Sequence, residues 1–369
     1  MKKLFTFLRI LMVVVSILVL VAMAMSAGAA YIPPGKGWYI AFFGLGFIPL
    51  FALNFILLVF WIVVRFRHAL IPLVAIIISL PAFFKTVGFH SSKANEKQTG
   101  KTDVRLMSFN VRNFDLYNWE KNNSTRDNIY KMLTDEQPDI LCFQEFYTRD
   151  IDMEWNNEKH ISKSLALPHH FFSISNTVAK QEHWGLCTFS RYPITGSGNV
   201  GTRGVNINAC IYTDIETPAG VIRVYNIHLQ SFHLSYKDYN VIDLKSDSSL
   251  NLESGKTIFT KMKHAWVTRG AQVRVIAEHI RASPYPVFVC GDFNDTPSSF
   301  AYNELRGNLI DAFLNKSWGI GYTYDYWMPI FRIDYLLIDP RWQVNNFKVV
   351  GENLSDHYPI ECNLSKEGE

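Results

Sequence analysis

The sequence predicts an α/β domain carried behind an N-terminal membrane region. Two observations point there. Residues 1–90 contain three long apolar runs and no Asp or Glu. After residue 103, short apolar runs bounded by turn residues alternate with stretches of helical spacing, the pattern of strands and helices in one domain.

Charge divides the chain in the same place. Of 36 Lys+Arg, ten lie in the first 101 residues, against a single acid, Glu96. The remaining 26 stand against 32 of the 33 acidic residues, so residues 102–369 carry a formal net of −6. The overall +3 therefore hides a mildly acidic domain, and tight bulk binding to nucleic acid through a basic surface is not supported. The five cysteines, Cys142, Cys187, Cys210, Cys290 and Cys362, form no CxxC pair and lie in apolar contexts. They read as small buried hydrophobes, not as zinc ligands or a disulfide framework.

The three apolar runs predict transmembrane helices at about residues 10–30, 38–64 and 69–89, each near the length of about 20 residues that spans hydrocarbon. Trp38, Tyr39 and Trp61 stand where interfacial aromatics belong. Lys and Arg divide evenly between the two sides, but Lys2, Lys3, Arg9, Arg65 and Arg67 crowd the two short segments that usually set orientation. That places the N-terminus in the cytoplasm and everything after residue 90 in the periplasm or outside, as a multi-pass protein of the inner membrane. Ser26-Ala27-Gly28-Ala29-Ala30 also resembles a signal-peptidase site, and cleavage there would leave the later domain on the same side. Residues 91–102, polar and without periodicity, read as a linker.

In the domain, residues 103–365, Val104–Val111 and Ile140–Phe143 read as strands, with a helix over 125–136 between them. Residues 209–215 and 221–229 read as a hairpin around Thr217-Pro218-Ala219-Gly220. Gln230–His264 is polar and reads as a long loop, in which His233, Tyr236 and Tyr239 could form a substrate-side wall. A helix is expected over 265–282, then a buried strand at Val287–Cys290.

Polar side chains close these strands. Asn110 ends the first, Glu145 closes the run Ile140–Phe143, and Asn226 and His228 end the hairpin's second arm. Asp292 and Asn294 follow Val287–Cys290 with period two, so both face one side. Arg332 and Asp334 sit within an apolar run and need partners or an ion. Asp356 stands beside His357, where a carboxylate can orient and charge an imidazole. Each alone suits a strand end; their recurrence suggests a shared site.

The ordered set SFNVRNF, PDILCFQE, GLCTFSRYPI, YNIHL, CGDFND, RIDYLLI and SDHYPI resembles the endonuclease/exonuclease/phosphatase (DNase I-like) superfamily over residues 103–364. The resemblance implies a four-layer α-β-β-α sandwich with the site at the strand ends. It implies Glu145, Asn110 and Asp356 as ligands of Mg²⁺, or of Mn²⁺, and His228, Asp292, Asn294, Asp334 and His357 as catalytic residues. Asn226 and Arg332 are expected at the substrate. His228 departs from the abasic-site endonucleases, which have Tyr there.

Phosphodiester hydrolysis needs neutralised phosphoryl oxygens, an in-line water and a stabilised leaving oxygen, and these residue types can supply them. The expectation is a membrane-anchored, Mg²⁺-dependent phosphodiesterase acting on nucleic acid. The alternatives are a sphingomyelinase-like or phosphoinositide-type lipid phosphodiesterase or phosphatase, and an inactive membrane-tethered binding module. No protein partner is inferable.

Overall fold

The computed structural model describes residues 2–90, 103–122, 124–151, 154–201, 209–234, 238, 252–325, 330–351 and 353–366. The expected linker at 91–102 lies outside them, as do Tyr236 and Tyr239. The chain forms two compact units. One comprises Met1–Thr86, Ser231–Gly270 and Asp295–Glu304; the other comprises Val87–Gln230, Ala271–Asn294 and Leu305–Glu369.

In the first unit, α1 (Lys2–Ala29), α2 (Pro34–Leu45), α3 (Phe47–Arg65) and α4 (Leu70–Thr86) are almost wholly apolar. The single helix expected at 38–64 is two helices, broken at Gly46. Pro49 explains the break. It lacks an N–H, and its ring would strike the carbonyl of Leu45 in an unbroken helix, so the helix restarts just ahead of it. A 3-10 turn, Phe66–Ala69, joins α3 to α4. Two stretches, Lys3–Ala29 and Phe47–Thr86, are long and apolar enough to cross a membrane, and in an 18-residue apolar span of each only 22% of the residues are buried. Trp61 is buried among the helices, and its indole N–H donates to Ser16 Oγ at 2.8 Å. Trp38 and Phe42 of α2 pack on Phe259, and Phe42 also meets Trp266.

Those two partners lie on α7 (Leu252–Arg281), a 30-residue helix that begins inside the segment expected to be loop. Ile258, Met262, Ala265 and Trp266 recur at helical spacing, a stripe that the polar residues around them obscure in the sequence.

The second unit is a sandwich of two six-stranded sheets. One sheet contains β2 (Val104–Asn110), β3 (Ile140–Arg149), β4 (His169–Val178), β5 (Glu182–Ser190), β13 (Gln343–Val349) and β14 (Ile360–Ser365), in the order β13-β14-β2-β3-β5-β4. The other contains β6 (Ile194–Asn199), β7 (Cys210–Thr217), β8 (Gly220–His228), β9 (Val287–Asp292), β10 (Ile310–Asp311) and β12 (Asp334–Ile338), in the order β10-β12-β9-β8-β7-β6. The two-residue β1 (Gly88–Phe89) pairs with β11 (Trp318–Gly319). Helices α5 (Thr125–Glu136) and α6 (Asn157–Ser164) cover the outer face of the first sheet through Ile129, Leu133 and Ile161. On the second sheet's outer face, Tyr225 Oη meets His279 Nδ1 of α7 at 2.8 Å. The short α8 (Phe300–Arg306) and α9 (Ala312–Lys316) complete the described helices.

The space between the sheets changes character along the strands. Leu106, Cys142, Val224, Cys290, Leu336 and Cys362 meet in one buried cluster. Two or four residues further along the same faces stand Ser108, Asn110, Gln144, Asn226, His228, Asp292 and Asp334, because strand side chains alternate with period two. One end of the sandwich interior is therefore hydrocarbon and thiol, and the other is polar. All five cysteines are buried and free, as their contexts suggested.

The parallel pair β8–β9 aligns His228 with Asp292. Gly291 makes that approach possible: its φ is +129°, and a Cβ there would lie 2.0 Å from the carbonyl oxygen of Ile227. Only glycine fits such a contact.

One buried carboxylate belongs to the fold alone. Glu361 on β14 lies 3.6 Å from Lys348 Nζ and 3.7 Å from Arg105 Nε, and its Oε2 accepts no hydrogen bond. Burial outweighs both cations and, with Glu136 nearby, pushes its pKa up to about 7. A raised carboxyl pKa stabilises the fold below the ordinary value of 4.5, and that contribution is lost as pH rises through 7. Glu361→Gln is expected to leave stability at pH 4.5 nearly unchanged and to raise it by about 2 kcal/mol at pH 8, by the free-energy value of a pKa shift discounted for relaxation. Thermal unfolding in detergent at the two pH values measures the difference.

Candidate active site

The polar end of the sandwich gathers side chains from both sheets. Asp292 closes β9 and is buried. Its Oδ1 accepts the backbone N–H of Asn294 at 2.7 Å, and its Oδ2 accepts Asn294 Nδ2 at 3.0 Å and Asn110 Nδ2 at 3.1 Å. Asn294 adopts φ +52°, a left-handed turn that Asn tolerates and that folds its side chain back onto Asp292 and the Leu229 carbonyl. Burial raises the Asp292 pKa to about 6, with His357 and His228 opposing the shift and Asp334 adding to it.

Asp334 begins β12 and pairs in register with Asp292. Its position is held by Thr323, whose Oγ1 accepts the backbone N–H groups of Ile333 and Asp334, both at 3.1 Å. His357 stands across the pair. Its Nδ1 is 3.0 and 3.2 Å from the Asp334 oxygens, and its Nε2 is 3.7 Å from Asp292 Oδ2. Burial alone would lower the His357 pKa, but the Asp334 and Asp292 carboxylates win and raise it to about 10. At neutral pH it is an imidazolium. His228 Nε2, buried without a hydrogen bond, faces Asp292 Oδ2 at 3.6 Å and Glu145 Oε1 at 3.8 Å.

Glu145 reaches the site in an unexpected way. It does not close a strand; β3 runs on to Arg149. A bulge between Phe143 and Phe146 inserts one extra residue, and Glu145 takes φ +51° there. Bulges re-aim side chains in this manner. Glu145 Oε1 then accepts Asn110 Nδ2 at 3.4 Å.

The bulge accounts for Asn226. This residue is fully buried, and its Nδ2 donates to the carbonyls of Phe143 at 3.0 Å and Cys187 at 3.1 Å, the residues paired at the bulge's edge. Its Oδ1 accepts Gln144 Nε2 at 2.7 Å. The amide thus ties β8 to the two strands on either side of the bulge that carries Glu145. Arg332, expected at the substrate, is likewise enclosed. It is buried 2.7 Å from Asp311 Oδ2, with its guanidinium over the Phe313 and Tyr335 rings, and serves the core as a paired cation.

Asp356 is tied in through its neighbour. Ser355 Oγ donates to the Asn110 carbonyl at 2.9 Å and lies 3.2 Å from Asp356 Oδ1. Asp356 Oδ2 lies 3.4 Å from Nε of Arg112, whose backbone N–H donates to Asn110 Oδ1 at 3.2 Å. Sequence reasoning passed over Arg112, Gln144, Thr323 and Ser355. Arg112 follows Asn110 by two in SFNVRNF, the one available signal; the other three act through partners distant in sequence.

Two groups of side chains fit a cation to different degrees. Asp292, Asp334 and His357 offer ligand atoms within 4.8 Å of one another. A cation held there would displace the proton that His357 carries, since a histidine ligand must be neutral. Glu145 and Asp356 add carboxylate oxygens, hard donors that suit Mg²⁺ or Mn²⁺, while Asn110 turns its Nδ2 toward Glu145 and its Oδ1 accepts the Arg112 N–H. The Asn110 amide N–H group already lies between the Glu145 and Asp292 carboxylates, where positive charge is required. The residues therefore fit a hard divalent ion.

The model of the Endonuclease/Exonuclease/phosphatase family matches residues 107–357. A second, described as a domain of unknown function (DUF8431), matches residues 6–86. No curated protein matches the chain. Among solved structures, an endonuclease/exonuclease/phosphatase family protein from Bacteroides thetaiotaomicron is 16% identical with a TM-score of 0.51, covering 72% of this chain and 99% of that one. An endonuclease/exonuclease/phosphatase from Beutenbergia cavernae is 17% identical with a TM-score of 0.50, covering 72% of each chain. A family protein from Leptotrichia buccalis is 15% identical with a TM-score of 0.50, covering 71% and 99%. At such identities the likeness is one of fold. The family match spans most of the chain and the motifs that build the site, and the chain thus belongs to the endonuclease/exonuclease/phosphatase family, hydrolases of phosphoester bonds that are typically metal-dependent.

Proposed function

We propose that this protein is a membrane-anchored, Mg²⁺-dependent phosphodiesterase that cleaves nucleic acid by attack of an activated water. The observation that carries the reading is the pairing of His357 with two carboxylates in register, next to the Glu145 carboxylate that Asn110 holds. Mg²⁺ held by Glu145 and Asn110, with Asp356, would supply Lewis-acid charge to a phosphoryl oxygen. Asp292, fixed by Asn294 and Asn110, accepts the proton of the attacking water. His357, kept charged by Asp334, neutralises the charge that develops on the phosphoryl group. His228 Nε2, without a hydrogen bond in the protein, is placed to donate one to the substrate.

Support for the anchor comes from the apolar helices. A core helix of a water-soluble domain would be mostly buried, whereas Leu4, Phe7, Ile56, Val63 and Ile77 are among many exposed apolar side chains on α1, α3 and α4. Such surface needs hydrocarbon around it. The same feature favours a second reading, in which the phosphoester is a phospholipid or sphingolipid headgroup.

Four outcomes are expected. Purified full-length protein with Mg²⁺ should nick plasmid DNA, and chelation should abolish the cut; cleavage confined to sphingomyelin or phosphoinositide vesicles would move the assignment to lipid. Glu145→Gln should lower kcat/KM by at least about a hundredfold, as loss of a charge-stabilising group does, while thermal unfolding stays near that of the parent. An inactive binding module would show no turnover before or after that substitution. A reporter fused after Glu369 should be active only outside the cytoplasm; a cytoplasmic signal would reverse the proposed orientation.

A further inference from the structure

The loop that follows Asn110 is built in an unusual way. Arg112, Asn113, Phe114 and Asp115 all have positive φ, between 43° and 57°. Such a run of non-glycine residues is costly, and strain of this kind is held at functional sites by its surroundings. Here the restraint is visible. Phe114 is buried among the rings of Tyr130, Phe143 and Phe146. Asp115 Oδ1 accepts the backbone N–H of Glu120 at 3.3 Å. The loop is thus anchored at its root and closed on itself.

This rigid loop presents two large aromatic side chains to solvent, Tyr117 at 60% exposure and Trp119 at 42%. Their ring centroids are 4.9 Å apart at 61°. Arg112 joins them to the site. Its guanidinium carbon lies 4.6 Å over the Trp119 ring, its Nη1 donates to Glu120 Oε1 at 2.9 Å, and its Nε is 3.4 Å from Asp356 Oδ2. The aromatic surface therefore begins one guanidinium away from a carboxylate assigned to the metal.

We propose that Tyr117 and Trp119 form a subsite that stacks the nucleobase next to the scissile phosphate, with Arg112 holding the platform at the edge of the site. The proposal rests on the nuclease reading above and specifies its substrate contact. The chemistry favours a planar polar ring over an acyl chain, because the aromatic faces are rimmed by a guanidinium and the Glu120 carboxylate. Base stacking on exposed aromatics is sequence-tolerant, since every base offers a π face.

The test compares full-length protein and its Trp119→Ala, Tyr117→Ala and Trp119→Phe variants with Mg²⁺. The substrates are a single-stranded oligonucleotide and the same strand carrying abasic residues. The parent should prefer the base-bearing strand, and Trp119→Ala should lower that preference in kcat/KM about tenfold, by the usual loss on removing one stacking partner. Trp119→Phe should restore most of it. A shift of Arg112 would slow both substrates alike and cancel in the ratio. An unchanged ratio in Trp119→Ala and Tyr117→Ala would overturn the subsite. Should the parent cleave neither strand, the nuclease reading fails, and binding of a phosphorothioate dinucleotide decides the subsite separately. Weaker binding to Trp119→Ala than to the parent supports it; equal binding overturns it.

Discussion

Two carboxylates, Asp292 and Asp334, face each other in register at the ends of adjacent strands, both buried. Left alone, they would repel each other. The rest of the site can be understood as the answer to that charge. His357 stands against both as a cation. Asn110 and Asn294 direct N–H groups at Asp292. Thr323 fixes the start of β12 so that Asp334 cannot move away. Removing one member of such a buried ion pair costs about 3–5 kcal/mol, because the other is left uncompensated. The protein keeps the arrangement at a cost to stability, which is the usual balance where charge is held ready for chemistry.

The sandwich supplies the setting by a simple device. Inward-facing positions are apolar at one end of the strands and polar at the other, so a single core is both hydrophobic interior and site wall. Period-two alternation alone produces this once the residues are chosen. Irregularities then adjust it. Gly291 lets β8 and β9 approach until His228 and Asp292 are neighbours. The bulge at Glu145 turns an outward position inward, and Asn226 from the opposite sheet satisfies the carbonyls at its edge. Position of the acid and support of the backbone that carries it thus come from different sheets.

Burial and pairing set Asn226 and Arg332 apart from Arg112. Asn226 and Arg332 have the right identity and the right neighbours in sequence, yet each is sealed and paired. Arg112 is only partly buried, lies beside Asp356 and Trp119, and was the polar residue of its motif that sequence reasoning left unused. What distinguishes these three is the environment supplied by distant segments: Phe143 and Cys187 for Asn226, Asp311 for Arg332, Asp356 for Arg112.

The sequence by itself determined the apolar N-terminal region, the α/β class, the strands that end on Asn110, His228 and Asp292, and the family. These follow from local composition, from period-two alternation and from motifs in a fixed order. It also contained the Gly46–Pro49 break and the helical stripe of α7, though polar or apolar surroundings obscured both. Only the tertiary structure decided that Glu145 arrives by a bulge, that His357 is charged by two carboxylates, and that Asn226 and Arg332 are buried against distant partners. Bulge geometry, burial and the field of neighbouring charges depend on segments 39 to 182 residues apart coming together, and no local pattern encodes them.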